Sequence, residues 1–139
     1  MPVFGKGSLA ALDGVHPNLV KVLKAAIINS PIDFAIIEGV RTAARQKNLY
    51  AQGRDGKGGK IVTYADGIKN KSNHQVKADG YGHAIDFAPY VNGKIDWNDH
   101  SKFKKIADHI VNTGAKMGIK VVAGYYWKRP VDPPHVQLG

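Results

Sequence analysis

Apolar residues recur at Leu19, Val20, Val22, Leu23, Ala26 and Ile27, between His16-Pro17-Asn18 and Ser30-Pro31. That spacing is helical, and the flanking residues mark a start and a stop. Phe34-Ala35-Ile36-Ile37 is a short apolar run containing β-branched residues, which predicts a buried strand ending at Gly39. Thr42 reads as the N-cap of a helix over Ala43 to Gln52, closed by Gly53. Gly82 to Phe87 predicts a strand, and Tyr90 to Ile95 a hairpin turning at Asn92-Gly93. Asn98 or Asp99 opens a helix running to about Met117, with Phe103, Ile106, Ala107, Ile110 and Val111 on its inner face. Ile119 to Val122 and His135 to Leu138 complete the strands. Arg54 to Lys71 is rich in Gly and Lys and reads as a long surface loop, interrupted by the strand-like Lys60 to Thr63. Strands and helices do not strictly alternate, so the predicted class is α+β.

Size and composition narrow this picture. A chain of 139 residues with 43% hydrophobic and 22% charged positions is expected to fold as one domain spanning residues 1–139. Two smaller domains would each lack a sufficient core, and no cysteine is present to staple them. Without cysteine, any metal site must be built from His, Asp or Glu. The formal charge of +9 favours encounters with polyanions such as nucleic acid, anionic lipid or wall polymers, without choosing among them. No apolar run approaches the roughly 20 residues needed to span a bilayer. Met1 to Ser8 carries one lysine and no apolar core, so no secretory signal is expected there.

The histidines divide by context. His109 lies opposite the apolar stripe of its helix and reads as a solvated surface residue. His100 at a helix start and His16 before a proline read as structural or capping residues. His74, at the end of the polar run Ser72-Asn73-His74-Gln75, differs from these. It is followed by Asp86 among Ala84, Ile85, Phe87 and Ala88, where an ionised carboxylate is costly unless paired or metal-bound. The residues leave both readings open, with Arg41 or Arg45 as the salt-bridge partner in the blander one. Asp132-Pro133-Pro134-His135 adds a carboxylate and an imidazole whose connection two prolines stiffen. Zinc catalysis needs three protein ligands, an open position and a nearby base. His74, Asp86 and His135 could be the ligands, and Asp132 the base. Arg54 to Lys60 is not a P-loop, because it lacks the required Gly at Arg54 and the Ser or Thr at Ile61. Gly124 to Arg129 mixes aromatic and basic residues and suits a packed edge, a groove wall or a base-stacking surface.

Taken together, these segments resemble a family, the L-alanyl-D-glutamate peptidases of phage endolysins and bacterial wall lysis, relatives of the D-alanyl-D-alanine carboxypeptidases. The resemblance rests on Val40-Arg41-Thr42, Gln46 to Gly53, Gly59 to Thr63, Ser72-Asn73-His74, Gly82 to Asp86 and Asp132 to His135, in the family's order. It covers Val15 to Leu138. It implies a small antiparallel sheet flanked by helices around a zinc cleft, with one zinc per chain held by His74, Asp86 and His135. It further implies Asp132 as general base, Arg41 assisting at the substrate carbonyl and Ser72 supporting the ligands. Tyr125, Tyr126 and Trp127 are candidate groove walls. One departure stands out. His74 and Asp86 are twelve residues apart, because Val76 to Gly80 adds five to the family's S-x-H-x-x-G-x-A-x-D spacing. His83 therefore competes as a ligand, although its opposite strand parity to Asp86 argues for His74.

The implied substrate is the peptidoglycan stem peptide, reached on an anionic envelope by a monomer without a nucleic-acid partner. Such an enzyme is made in the host cytoplasm and acts on the wall after a separate membrane-disrupting protein releases it. The alternatives are a D-alanyl-D-alanine carboxypeptidase, a non-catalytic zinc-containing wall-binding module and a basic nucleic-acid binder.

Overall fold

The computed structural model describes residues 4–52, 72–127 and 132–139. The predicted loop from Arg54 to Lys71, its strand-like Lys60 to Thr63 and the closing Gly53 lie outside the described residues. The elements run α1 (Lys6–Ala11), α2 (Pro17–Ile28), β1 (Phe34–Glu38), α3 (Ala43–Ala51) and β2 (Ala84–Val91). They continue with β3 (Lys94–Ile95), α4 (His100–Lys116), β4 (Val121–Ala123), a 3-10 turn (Gly124–Tyr126) and β5 (His135–Leu138). The sheet order is β1-β2-β5-β4, with β3 paired to β2, and each of these pairs is antiparallel. The α+β class and the antiparallel sheet are as the sequence implies.

Local chemistry explains the boundaries. The His16 ring accepts a bond from Asn18 N–H at 3.0 Å and caps α2, with Pro17 at its first position. Thr42 caps α3 through Arg45 N–H, and Asp99 caps α4 through Ser101 N–H. The β2–β3 hairpin turns at Asn92 and Gly93 with φ of 54° and 77°, the left-handed pair that Asn-Gly supplies cheaply. Helix α4 lies against β2 and β4, α2 packs on α4, and α1 covers β1. The core they enclose includes Leu19, Leu23, Phe34, Ile85, Phe87, Phe103, Ile106, Ile110 and Val136.

Two features depart from the sequence reading. The first is His109, read as solvated. It is half-buried, and its Nε2 sits 2.8 Å from Ala26 O on α2. The predicted polar face of α4 is thus partly a helix–helix contact. The second is α1, which the hydrophobic pattern did not reveal. Gly7 and a six-residue length give it little intrinsic stability, and it has no side-chain N-cap. It is held by tertiary bonds instead: Ser8 Oγ, buried, accepts the Ile36 N–H at 3.0 Å. That bond covers an outward amide of edge strand β1. Replacing Ser8 with Ala leaves the amide without its acceptor, so Ser8→Ala is expected to lower stability by about 1–3 kcal/mol. Urea denaturation should show a lower midpoint with an unchanged slope.

Candidate metal centre

Sheet register builds the site. Asp86 on β2 pairs directly with His135 on β5 and, across the other edge, with Glu38 on β1. A bulge at Ile37 makes the second pairing possible, because the register shifts between Ile36 and Glu38. His74 arrives on a loop fixed by backbone bonds: Arg41 N–H donates to His74 O at 2.8 Å, and His83 N–H to Asn73 O at 2.8 Å. Ser72 Oγ accepts the His74 N–H at 3.1 Å. Gly124 lets the Asp132 turn close over β5. A side chain there would place its Cβ 2.5 Å from Asp132 O and 2.9 Å from His135 Cβ.

The three donors form a near-equilateral triangle. His74 Nε2 lies 3.1 Å from His135 Nδ1 and 3.3 Å from Asp86 Oδ1, while His135 Nδ1 lies 3.6 Å from Asp86 Oδ1. A tetrahedral ion with bonds of about 2.0–2.1 Å keeps its ligands about 3.3 Å apart. Ring partners set the protons. His74 Nδ1 is 3.0 Å from the carbonyl of Gly39, which only accepts, so Nδ1 carries the hydrogen. His135 Nε2 is 2.8 Å from Gln137 Oε1, which also accepts from Asn73 Nδ2 at 2.8 Å. With neutral rings, two bare lone pairs face each other, an arrangement that a metal ion between them, or a proton on one ring, would relieve. Asp86 Oδ1 is buried and has no hydrogen-bond partner, a cost that a metal ligand does not incur. Two imidazole nitrogens and a carboxylate oxygen suit zinc, so the residues present fit that ion.

The surroundings are polarised. Burial opposes the charge on Asp86, yet the imidazoles of His135 and His74 outweigh it and hold this carboxyl well below the usual range. Burial dominates at Asp132 and, with the charge of Asp86, raises its pKa. Burial also opposes the charge on His135, but the nearby carboxylate of Asp86, the Gln137 oxygen and the charge of Asp132 together raise its pKa. Asp132 Oδ2 stands 3.7 Å from His135 Nδ1, beside the triangle rather than in it. Arg41 donates from Nε to Glu38 at 2.6 Å and from Nη1 to Gln46 Oε1 at 2.8 Å, with Nη2 3.6 Å from Asp86 Oδ2. Trp127 lies over His135 with ring centroids 4.8 Å apart.

The phage L-alanyl-D-glutamate peptidase family profile matches residues 2–136. The chain belongs to this family. It is 39% identical over 129 residues to the L-alanyl-D-glutamate peptidase of Escherichia phage T5, covering 93% of this chain and 84% of the relative. The crystal structure of the Serratia marcescens L-Ala D-Glu endopeptidase ChiX superposes with a TM-score of 0.76 at 31% identity, over 98% of this chain and 89% of that one. The fold is also that of the vancomycin-resistance D,D-pentapeptidase VanY in complex with Zn(II). That match has a TM-score of 0.59 at 11% identity over 89% of this chain and 72% of that one.

Within this family member, the residues singled out from sequence are distributed unevenly. His74, Asp86 and His135 converge, with Asp132 and Arg41 adjacent. Both carboxylate partners proposed from sequence are accounted for: Arg41 reaches Asp86, while Arg45 lies 3.8 Å from Glu38 instead. His83 turns to Asp79, with Nε2 2.6 Å from Oδ2. Tyr125 packs partly against the core, and Tyr126 is exposed and bonded through its hydroxyl to Asp108. Sequence reading missed Glu38, Gln46, Gln137 and the Gly39 carbonyl. Gln137 was findable, since it lies two residues from His135 on a strand and so shares its face. Truncation of Gln137 to Ala should free the His135 ring and weaken metal affinity about 10–100-fold. Competition with a chromogenic chelator measures that loss, and an unchanged affinity would leave His135 oriented by something else.

Proposed function

We propose that this chain is a zinc-dependent endopeptidase that hydrolyses the L-alanyl-D-glutamate bond of the peptidoglycan stem peptide. The observation that carries the reading is the triangle of His74 Nε2, His135 Nδ1 and Asp86 Oδ1, at tetrahedral spacing with a carboxyl beside it. Family membership supplies the bond and the substrate class.

His74, Asp86 and His135 would hold zinc, which would supply a Lewis acid able to acidify water and polarise the scissile carbonyl. Asp132 takes the proton of the attacking water and passes it to the leaving amine as the C–N bond breaks. Its carboxyl stands beside the triangle, 3.7 Å from His135 Nδ1, which places it next to a water held there. Arg41 adds positive charge at the cleft, where it balances Asp86 and Glu38 and favours charge developing on the substrate oxygen. Ser72 fixes the backbone of His74, and Trp127 forms a wall beside His135. The formal charge of +9 holds the enzyme to an anionic envelope. No helix of the described residues is long and apolar enough to cross a membrane.

Chelation should abolish release of peptides from purified peptidoglycan. Mass spectrometry of the digest should show new L-alanine carboxyl ends and D-glutamate amino ends. Release of terminal D-alanine alone would assign a carboxypeptidase. His74→Ala and His135→Ala should lose zinc and turnover together. Asp132→Asn should keep zinc and lose turnover about a hundredfold or more; near wild-type turnover with zinc bound would require another base.

Wall lysis should also weaken as salt rises, because screening shortens the reach of surface charges to about 8 Å at physiological ionic strength. Cleavage of a short soluble stem peptide should respond far less. Equal salt dependence of the two reactions would place the effect in the cleft rather than in wall attachment.

A further inference from the structure

Outside the catalytic triangle, a second group of side chains meets the geometric demands of a metal site. His16, Asp79 and His83 each offer one donor atom, and these atoms lie within 4.8 Å of one another. They come from three separate places: the residue before α2, the turn within the five added residues, and the residue before β2. We infer that His16, Asp79 and His83 form a second, exchangeable site for a zinc-class divalent transition metal, which staples the added turn to the N-terminal segment. This inference does not rest on the peptidase reading.

The backbone brings the two imidazoles together before any side chain is considered. Val15 and Gly82 form a parallel bridge, with His16 N–H donating to Gly82 O at 2.9 Å and Gly82 N–H to Gly14 O at 3.0 Å. The residues one step further along each strand, His16 and His83, then stand side by side. Their rings meet edge to face, with centroids 5.2 Å apart and planes at 76°. The carboxylate is positioned independently. A tight turn closes through Gly80 N–H to Lys77 O at 2.9 Å, with Gly80 at φ 86°. Tyr81 N–H holds Asp79 Oδ1 at 3.0 Å. That leaves Oδ2 facing the rings, 2.6 Å from His83 Nε2 and 3.8 Å from His16 Nε2. These two lengths bracket the about 3.3 Å edge of a tetrahedral site, and the third edge, between the two rings, is within 4.8 Å, so side-chain rotations rather than backbone movement would close the triangle.

The donor set selects the ion. Two imidazoles and one carboxylate suit zinc, nickel or copper, whereas calcium and magnesium call for oxygen donors throughout. The side chains of His16 and His83 are 25% and 24% exposed and that of Asp79 is 40% exposed, so water completes the coordination and the ion exchanges. Loading has one local consequence. His16 Nδ1 accepts Asn18 N–H, so binding through Nε2 moves the ring proton to Nδ1 and hands the Asn18 amide to water. The site is therefore weaker than the buried triangle. Its effect is mechanical: the stapled segment begins directly after His74 and Gln75, and His83 N–H already bonds Asn73 O beside that loop.

The test is a zinc count. Metal-stripped protein is titrated with zinc chloride, and bound metal is measured by equilibrium dialysis and elemental analysis. Wild type should take two equivalents, one tighter than the other. His83→Gln and Asp79→Asn should each weaken the looser equivalent at least tenfold and retain the tighter one, which also reports that they are folded. His16→Asn should do the same while keeping a capping side chain for α2. The looser equivalent should raise the thermal midpoint in wild type and not in these variants. His74→Ala should remove the tighter equivalent only, and insensitivity to that change would count against the catalytic triangle instead. A single equivalent in wild type that survives His83→Gln, or two equivalents unchanged in all three variants, overturns the second site and leaves a hydrogen-bonded His83–Asp79 pair beside a capping His16.

Discussion

The site depends on one pairing, Asp86 opposite His135 on the neighbouring central strands. Side chains directly across an antiparallel pair stand within reach of each other on one face. A slip of one residue would send Asp86 to the other face of the sheet. What prevents the slip is apolar. Ile85, Phe87 and Val136 are completely buried, so a one-residue slip would turn them from the core and bring Asp86, His135 and Gln137 towards it. The hydrophobic core thus fixes the chemistry at one remove.

Around this pair, each candidate ligand is aimed by a second group. Gly39 O fixes the His74 ring and Gln137 the His135 ring, while Arg41 spans Glu38, Gln46 and Asp86. Asn73 and Gln137 join the His74 loop to β5 through their amides, so the two histidines are oriented by a shared contact. The bulge at Ile37 contributes by a different route. It places Glu38 beside Asp86, and the two carboxylates create the demand for charge that Arg41 meets. Removal of positive charge here would leave two acids facing each other in a partly buried cleft.

The sequence was most informative where a pattern was local. Helices α2, α3 and α4 were legible from spacing and caps, and the β2–β3 hairpin from Asn92-Gly93. His74, Asp86, Asp132 and His135 were legible as chemistry-bearing residues, and their order carried the family resemblance. The parts that were not legible depend on contacts between distant segments. Helix α1 has no amphipathic signature strong enough to announce it, because its packing on β1 and the Ser8 hydroxyl bonded to Ile36 hold it in place. The burial of His109 depends on α2 lying against α4, which no window along α4 can show. The contacts of Glu38 and Gln46 with Arg41 were likewise invisible, since they follow from how the bulge and α3 present the two side chains.

The added segment between His74 and Asp86 shows that linear spacing and spatial geometry are separate variables in this site. Backbone bonds from His83 to Asn73 and from Gly82 to Gly14 close the base of the excursion, so its length never reaches the ligands. The sequence interval between His74 and Asp86 can therefore lengthen while the two side chains still converge. A recogniser that demanded one fixed interval between that histidine and that aspartate would pass over this chain. One keyed to strand parity and to the pairing of Asp86 with His135 would not.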